Sequence, residues 1–422
     1  MPGISASAIS HLPQIRTIGV VQEIKQGEGR VGVTPMGAAA FIAKGRTVLV
    51  QSGAGLGSGF ADKAYHDVGA QILTEAQQVW MNSDMVIKVK EPLRYPINEF
   101  DFLRPGFVLF TYLHLASDLG LARDVAASGV AALGFETAVK EDGSIPMLAC
   151  MSEIAGRMAP MEAAGIGAPS GALGLLMSGI PGIAERQNAL VLGGGNVGAN
   201  AAMIALKMGA NVRVLDLDVD RVWRNMGMLS QNSENYFEIL PFAHRYSSTG
   251  SNYIQVDASN RSTIADGFDW AHLIIGAALK PGAPAPLLLR SDHFITNPGK
   301  IIVDVAVDQG GITSHTTATT HEKPTFIVDR EGKVHPYGDI DTPGTVMYCV
   351  ANMPGKHART STLSLTSTTL PYALAMLDGW DKAFEDHPEL IGSINALGGF
   401  LTLEQVADPL GLMSMYRSLN AF

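Results

Sequence analysis

The chain has 422 residues, which is too many for a domain with a single hydrophobic core, so two domains are expected. Hydrophobic residues make up 46% of the chain and charged residues 17%, which is enough apolar material for buried sheets. The formal net charge of −10 argues against the basic surfaces by which proteins bind nucleic acids or anionic membranes.

Targeting signals and cysteine usage point to the cytoplasm. No segment has the length and uninterrupted apolarity of a membrane span, and we expect neither a membrane nor a nucleic-acid partner. Residues 1–16 lack the pattern of a signal peptide and are predicted to be a flexible lead-in. The two cysteines, Cys150 and Cys349, lie among apolar neighbours, which favours buried free thiols in a reducing compartment.

From Thr17 onward, short apolar runs rich in β-branched residues alternate with segments of helical spacing. This alternation is typical of crossover units that build a mainly parallel sheet. The same rhythm restarts at Asn188, so two α/β units are predicted in series. The stretch from about Thr360 has a helical pattern that Pro371 interrupts, and we expect it to return to the first unit.

Three stretches break this rhythm. Residues 161–182 are rich in Gly, Ala and Pro and are predicted to be a hinge and packing region. Residues 225–251 and 330–345 are polar or punctuated by Gly and Pro, and are predicted to be surface insertions.

The glycines Gly193, Gly195 and Gly198 form a G-x-G-x-x-G pattern directly after a predicted strand and at the start of a predicted helix. Such glycines allow a tight turn, close approach of a pyrophosphate to the backbone, and close packing of helix on strand. Asp216 ends the next strand about 20 residues on, where an acid receives the ribose 2′-hydroxyl. This carboxylate would repel a 2′-phosphate, which favours NAD over NADP, although the nearby Arg221 leaves NADP open.

Ionisable side chains follow several predicted strands, where ligands gather in parallel sheets. They are Arg30, Lys90, His114 and Glu136 in the first unit and Asp308 in the second. Any one of them could be an ordinary surface or structural residue, but their succession along one edge favours a functional set. His315 and His321 lack the spacing of a metal site, and no metal is expected.

Ten segments together resemble the alanine dehydrogenase family, which also includes the α-subunit of NAD(P) transhydrogenase. They run in order as "EIKQGEGRVGVTP", "AGLGSGFAD", "KVKEP", "FTYLHLA", "MSEIAGR", "GIPGI", "GGGNVGANAA", "VDVAVDQGG", "YCVANMPG" and "RTSTLSLTSTTLPYAL". "KVKEP" with "FTYLHLA" favours the dehydrogenase branch, since the other branch has no comparable Lys–His pair.

The resemblance implies two Rossmann-like, doubly wound α/β domains, the NAD domain (147–357) being inserted into a discontinuous substrate domain (17–146 and 358–422). It also implies reversible, NAD-dependent oxidative deamination of L-alanine to pyruvate and ammonia, in a homo-oligomer that is commonly a hexamer.

By position in these motifs, Arg30 resembles the residue that grips the substrate carboxylate, and Lys90 its partner at the carboxylate and carbonyl oxygen. His114 resembles the acid–base residue and Asp308 the acid that orients ammonia or water. Tyr112 and Asn352 are expected at the substrate as well. The resemblance places the cofactor at Ser152, Gly193, Gly195, Gly198, Asp216, Arg221, Ser259, Ala278, Leu279, Val305, Asp308, Val350, Asn352 and Met353.

The chain departs from the family pattern in the linker, at Cys150 and at the two predicted insertions, 225–251 and 330–345, which lengthen the cofactor domain. Leu173 stands where an Arg is usual in the linker, and Cys150 where proline is usual. Three alternatives therefore stay open: a dehydrogenase of another small amino or 2-oxo acid, an NAD-binding member without turnover, and a soluble transhydrogenase component, which would need a membrane partner.

Overall fold

The structure, a computed structural model, describes residues 3–166, 176–180, 182–231, 252–278, 285–297, 299–336 and 344–422. Leu173 and Leu279, both singled out from the sequence, lie outside these ranges. So do parts of the predicted hinge at 161–182 and of the predicted insertions at 225–251 and 330–345.

The strands are short and mostly buried. In chain order they are β1 Thr17–Val20, β2 Thr47–Gln51, β3 Gln71–Leu73, β4 Met85–Ile87, β5 Val108–Thr111, β6 Ala131–Gly134, β7 Asn188–Leu192, β8 Asn211–Asp216, β9 Ile254–Ala258, β10 Leu273–Gly276, β11 Ile301–Asp304, β12 Thr325–Asp329, β13 Val334–Pro336, β14 Gly344–Tyr348, β15 Ile394–Leu397 and β16 Phe400–Leu401.

The α-helices of the described residues are α1 Ala6–Ser10, α2 Pro35–Ala43, α3 Asp62–His66, α4 Ala76–Met81, α5 Leu119–Ala127, α6 Pro146–Gly165, α7 Asn196–Lys207, α8 Val219–Gln231, α9 Arg261–Trp270, α10 Ser291–Thr296, α11 Ala358–Leu377, α12 Trp380–Asp386, α13 Glu389–Ser393 and α14 Glu404–Ala407. Short 3-10 helices span Leu56–Ser58, Glu99–Phe102, Leu115–Ser117, Phe135–Thr137, Val305–Gln309, Met353–His357, Met413–Met415 and Leu419–Ala421.

Side-chain caps begin several helices. Thr34 caps α2, where its hydroxyl accepts the Gly37 N–H at 3.1 Å and Pro35 takes the first helical position. Asn260 and Thr263 form a capping box at the start of α9. These caps satisfy amide groups that the first helical turn leaves without partners.

The described residues fall into two compact units. Unit 1 comprises Met1–Met151 and Gly355–Phe422, and unit 2 comprises Ser152–Pro354. Each contains one eight-stranded sheet. The fold is therefore the predicted two-unit α/β arrangement, in which the first unit is discontinuous in sequence.

The six parallel strands of the two sheets share one order, whereas the antiparallel pair follows the sixth parallel strand along the chain in unit 1 and precedes it in unit 2. The strand orders of the sheets are β16-β15-β6-β5-β4-β1-β2-β3 and β13-β12-β14-β11-β10-β7-β8-β9. In the first sheet the strands from β3 to β6 pair in parallel, and in the second those from β9 to β14 do so. Two antiparallel strands complete the other edge of each sheet, β15 and β16 in the first and β12 and β13 in the second. The parallel part of each sheet has the doubly wound Rossmann order, which reverses between β1 and β4 and between β7 and β10.

Both faces of the unit 2 sheet are buried. One face packs a cluster that includes Val191, Val214, Ile275, Val303 and Tyr348, and the other packs Leu190, Leu192, Ile274, Ile302 and Met347. Alternate residues of the same strands serve opposite faces, because successive side chains in a strand point to opposite sides. This explains why the strands are continuous apolar runs in the sequence.

The C-terminal segment joins unit 1, as expected, through β15, which pairs antiparallel with β6. The helical stretch before it differs from the prediction, because α11 continues through Pro371 rather than being interrupted there. Tyr372, Ala373 and Met376 beyond the proline are buried, so packing maintains the helix despite the lost backbone hydrogen bond.

Residues 3–16 also differ from the flexible lead-in predicted for residues 1–16. Ser5 caps α1, and its own N–H donates to the Leu419 carbonyl at 3.1 Å. Ala8, Leu12 and Ile15 are buried, and the Trp380 indole N–H donates to the Pro13 carbonyl at 2.8 Å. These buried apolar side chains and hydrogen bonds attach the segment to the rest of unit 1.

We expect removal of residues 1–14 to lower the free energy of unfolding by about 2–4 kcal/mol, since buried Leu12 and one hydrogen bond to Trp380 are lost. Urea unfolding followed by tryptophan fluorescence measures this change. A chain that lacks only residues 1–4 is the control, and equal stability of both truncated chains would show that the segment contributes nothing.

Candidate functional site

The strand-end residues predicted in unit 1 follow neighbouring strands of its sheet. Arg30 lies in the loop after β1, Lys90 follows β4, His114 follows β5 and Glu136 follows β6. In the sheet these strands are ordered β6-β5-β4-β1. The carboxyl ends of these parallel strands therefore bring the four residues to one edge.

Arg30 is buried and paired with Glu28. Its Nε donates to Glu28 Oε1 at 2.7 Å and its Nη2 to Oε2 at 2.5 Å, and its Nη1 contacts Met151 Sδ at 3.1 Å. Burial alone would raise the pKa of Glu28, but the hydrogen bonds and charge of Arg30 lower it to about 2. The pair is thus charged and its guanidinium is fixed in direction.

Lys90 is a second buried cation at this edge. Its pKa is lowered, first by burial and then by the charges of Arg30 and Lys25. Its N–H donates to Glu23 Oε2 at 3.3 Å, and its carbonyl accepts the Thr111 hydroxyl at 2.8 Å. An ammonium group with a lowered pKa can release a proton more readily than an ordinary lysine.

Tyr112 and His114 lie just beyond β5. The buried Tyr112 hydroxyl donates to the Met147 carbonyl at 2.5 Å, and burial raises its pKa further above the usual range. His114 has a left-handed backbone with φ of 52°. Glu136 accepts the N–H groups of His114 at 2.7 Å and Leu113 at 3.0 Å. Glu136 therefore fixes the backbone that carries His114.

Three acids of this edge were missed by sequence reasoning. Glu28 and Glu91 stand next to predicted residues, in "GEGR" and "KVKEP", and Glu23 lies in "QEIK". Glu91 accepts from Lys25 Nζ at 2.6 Å and contacts His114 Nδ1 at 3.0 Å. Proximity in sequence to Arg30 and Lys90 was the available signal, but it does not indicate the direction of a side chain.

The glycine-rich turn of unit 2 lies between β7 and α7. Gly193 has φ of 101°, and a Cβ on Gly198 would lie 1.8 Å from the Gly193 carbonyl oxygen. A Cβ on Gly195, by contrast, would meet no atom of the described residues within 4 Å. Gly195 is the N-cap of α7 and offers no side-chain hydrogen bond to the helix. Open space at the start of a helix suits a phosphate group.

Asp216 ends β8 and is directed at this turn. Its Oδ2 accepts the Gly194 N–H at 2.6 Å, while its Oδ1 accepts the Asp218 N–H at 2.9 Å and Arg221 Nη2 at 3.0 Å. The structure thus brings Asp216, Arg221 and the glycine turn together. The acid is 7% exposed.

The other predicted residues of unit 2 lie at or near ends of its strands, except for Ser152, which lies in α6. Ser259 follows β9 and donates its N–H to the Asp216 carbonyl at 2.9 Å; Ala278 follows β10; Val305 and Asp308 lie in the 3-10 helix after β11; Val350, Asn352 and Met353 follow β14. Asp308 is exposed, whereas Val350 and Met353 are buried.

Two residues shape these loops. Asn352 has a left-handed backbone, with φ of 70°. Asp304, which the sequence analysis did not single out, accepts the N–H groups of Ala306 at 3.1 Å and Ile312 at 2.8 Å, and the Thr316 hydroxyl at 2.5 Å. Burial raises the pKa of Asp304. This buried carboxyl fixes the loop that carries Asp308.

The described residues contain neither a metal-ligand cluster nor a membrane-spanning helix. Over those ranges, no three His, Cys, Asp or Glu side chains are grouped so as to hold a metal ion. No helix in the described part of the chain has the length and apolarity needed to cross a bilayer.

A Rossmann unit with a glycine-rich turn and an acid at the end of its second strand defines the class of dinucleotide-binding α/β proteins. The family descriptions "Alanine dehydrogenase/PNT, N-terminal domain" and "Alanine dehydrogenase/PNT, C-terminal domain" match residues 19–155 and 159–404. The chain belongs to the alanine dehydrogenase/PNT family.

Comparison with individual proteins agrees with this membership. The chain is 42% identical to an alanine dehydrogenase of Bacillus subtilis, over 93% of this chain and 94% of that protein. It is 40% identical to an alanine dehydrogenase of Methanococcus maripaludis, over 92% of this chain and 95% of that protein.

Solved structures show the same fold. A structure of L-alanine dehydrogenase is 33% identical, has a TM-score of 0.76 and covers 93% of this chain and 98% of its own. A transhydrogenase from Sinorhizobium meliloti is 20% identical, has a TM-score of 0.68 and covers 92% of this chain and 99% of its own, which shows a shared fold alone.

We expect Glu28→Gln to destabilise the protein by about 3 kcal/mol at pH 7, because Arg30 stays buried without its counter-charge. The pKa of Glu28 is lowered from 4.5 to about 2, so its contribution is complete above pH 4.5 and is lost as pH falls towards 2. The difference between wild type and variant should therefore shrink below pH 4.5.

Urea unfolding at several values of pH between 7 and 3 measures this difference, with Glu141→Gln at an exposed position as the control. A difference that stays constant over this range would contradict the buried ion pair.

Proposed function

We propose that the protein catalyses the NAD-dependent oxidative deamination of L-alanine to pyruvate and ammonia, and the reverse reaction. The observation that carries this proposal is the near full-length likeness to alanine dehydrogenases, 42% identical in one case. The cations and the histidine at the edge of unit 1 are of the types that this chemistry needs.

The residues of the glycine turn fit a dinucleotide. The open space at Gly195 and the uncapped start of α7 support a pyrophosphate there, and Asp216 supports a ribose hydroxyl. We assign the cofactor further to Ser152, Gly193, Gly198, Arg221, Ser259, Ala278, Leu279, Val305, Asp308, Val350, Asn352 and Met353. Bound NAD supplies the acceptor for the hydride that leaves the substrate carbon.

Residues of unit 1 are proposed to bind the substrate. Arg30, which is charged and fixed by Glu28, binds the substrate carboxylate. Tyr112 is proposed to contact the substrate as well. Lys90 contacts the carboxylate and the oxygen that becomes the pyruvate carbonyl, where a cation stabilises developing negative charge. Buried, directed cations fix the orientation of a small substrate.

His114 transfers the proton in the hydrolytic half of the reaction. After oxidation, the carbon–nitrogen double bond is attacked by water, and a base must accept a proton from that water. An imidazole suits this step because it titrates near neutral pH. We further propose that Asp308 orients ammonia or water and that Asn352 contacts the substrate.

The chain is further proposed to act in the cytoplasm as a homo-oligomer, a hexamer by its resemblance to the family. Analytical ultracentrifugation of the purified protein tests the assembly. A monomer at micromolar concentration would contradict it.

The activity is tested by NADH formation from L-alanine and NAD, beside glycine, L-serine, L-valine and 2-aminobutyrate. A rate largely confined to L-alanine supports the proposal. A higher rate with another amino acid would reassign the substrate, and NAD binding without any turnover would leave a binding protein.

We expect His114→Asn to lower kcat by about 10²- to 10⁴-fold, since the acid–base group is lost. Asparagine is chosen because it tolerates the left-handed backbone at this position better than alanine does. His66→Asn, at an exposed position of α3, is the control. Turnover by His114→Asn at the wild-type rate would exclude this histidine as the acid–base group.

We expect Asp216→Asn to raise the ratio of kcat/KM for NADP to that for NAD by about tenfold or more, because a negative charge that repels a 2′-phosphate is removed. The amide oxygen can still accept the Gly194 N–H, so the turn is retained. Steady-state rates with both cofactors measure the ratio. Asp218→Asn is the matched control, and an unchanged ratio in Asp216→Asn would assign cofactor choice elsewhere.

A further inference from the structure

The loop that follows β4 is fixed by buried charges on both sides. Lys88 is fully buried, and its Nζ donates to Glu99 Oε1 and Oε2 at 2.6 Å each and lies 3.7 Å from Glu23 Oε2. Glu23 accepts the Val89 N–H at 2.5 Å, and Glu99 accepts the Leu93 N–H at 2.8 Å. The backbone on each side of Lys90 is thereby held in one conformation.

Glu91 lies within this fixed loop, with its side chain 12% exposed, and both of its oxygens have partners. Oε1 accepts from Lys25 Nζ at 2.6 Å, and Oε2 lies 3.0 Å from His114 Nδ1. Burial would raise the pKa of Glu91, but hydrogen bonds and charges from His114 and Lys25 hold it well below its usual range. Glu91 is therefore an ionised carboxylate.

This contact determines where the proton on the His114 ring lies. An ionised carboxylate can only accept a hydrogen bond, so Nδ1 must be the nitrogen that carries hydrogen. The lone pair is then on Nε2, and the side chain of His114 is 41% exposed. The backbone N–H of His114 is held separately by Glu136 at 2.7 Å.

We propose that Glu91 is a positioning residue for His114. Its carboxylate holds the ring as the Nδ1–H tautomer, so that Nε2 exchanges the proton with the water that attacks the carbon–nitrogen double bond. The negative charge also stabilises the imidazolium that forms when Nε2 accepts the proton. This proposal rests on the proposed function, in which His114 is the acid–base group. The same division of labour between carboxylate and imidazole operates in Ser-His-Asp triads.

Other charges around the ring bear on the pH dependence. Tyr112, with its ring centroid 6.0 Å from that of His114, and Glu136 approach from β5 and β6. Lys88 and Lys90 lie on the loop of Glu91, and both have electrostatic interactions with it. Lys25, 40% exposed, approaches Glu91 from the loop after β1. Lys25 contacts Glu91, which in turn contacts His114. Because the two charges have opposite sign, removing one should shift the pH dependence in the direction opposite to removing the other.

The first test is the pH profile of kcat/KM for L-alanine deamination. Glu91→Gln removes the counter-charge of the imidazolium, so we expect the acidic limb to move to lower pH by about one unit and kcat to fall about 10- to 100-fold. KM for L-alanine should change less than about threefold, since Arg30 and Lys90 are untouched. Lys25→Met leaves the charge of Glu91 unopposed, so its acidic limb should move to higher pH.

Glu75→Gln, at an exposed position before α4, is the control and should leave profile and rate unchanged. A merely structural role for Glu91 would lower rates without shifting the limb in opposite directions in the two variants. If Glu91→Gln fails to fold, as circular dichroism would show, the shift in Lys25→Met still decides the matter. Unshifted limbs would overturn the proposal.

A second readout does not depend on turnover. In protein labelled with 15N-histidine, the His114 signals are identified by their loss in His114→Asn, and their shifts report which nitrogen is protonated. We expect Nδ1–H in the wild type and a loss of this preference in Glu91→Gln. An Nε2–H ring in the wild type would overturn the positioning role, whereas absence of turnover with an Nδ1–H ring would overturn the proposed function alone.

Discussion

Buried carboxylates that accept hydrogen bonds from cations or from backbone amides determine the geometry on which unit 1 depends. Glu28 directs Arg30, Glu23 and Glu99 hold the backbone around Lys90, and Glu136 holds the backbone of His114. The side chains of Glu23, Glu28 and Glu99 are almost fully buried, whereas Glu136 is half-buried. An unpaired buried charge would be strongly unfavourable. The arrangement is therefore stable only with its partners in place, which makes the positions of the cations reproducible.

The same principle operates in unit 2. Asp216 joins the glycine turn to Arg221, and Asp304 joins the loop after β11 to Thr316 and two backbone amides. Parallel strands end at one edge, where the chain must leave the sheet in irregular loops. Backbone amides in such loops lack sheet partners, and a carboxylate oxygen satisfies them while fixing the conformation. Both units thus use acids to fix irregular loops at the carboxyl edges of their sheets.

The site residues were predicted from their positions after apolar strands. This explains why the cations were found from the sequence and most of the acids were missed. Lys90 and His114 closely follow apolar runs and Arg30 lies in the loop after another, so their edge could be predicted from the pattern alone. Glu91 is adjacent to Lys90 in sequence, yet its partner His114 is 23 residues away. Glu23 accepts from Lys90 across 67 residues. Such pairings depend on which strands become neighbours, and the hydrophobic pattern does not encode strand order.

The two α/β units, the glycine turn with its acid, and the residue types at the strand ends could be predicted from the amino-acid sequence, because they follow from local periodicity and short-range spacing. The return of the C-terminal segment was expected, but its pairing of β15 with β6 is a tertiary fact. Tertiary structure alone decided that α1 packs on unit 1 and that α11 continues through Pro371. It also decided that Glu136 accepts the backbone N–H of His114 while Glu91 contacts the imidazole ring of His114. The physical reason is that burial and hydrogen bonding between distant segments override local signals, and only the folded chain brings those segments into contact.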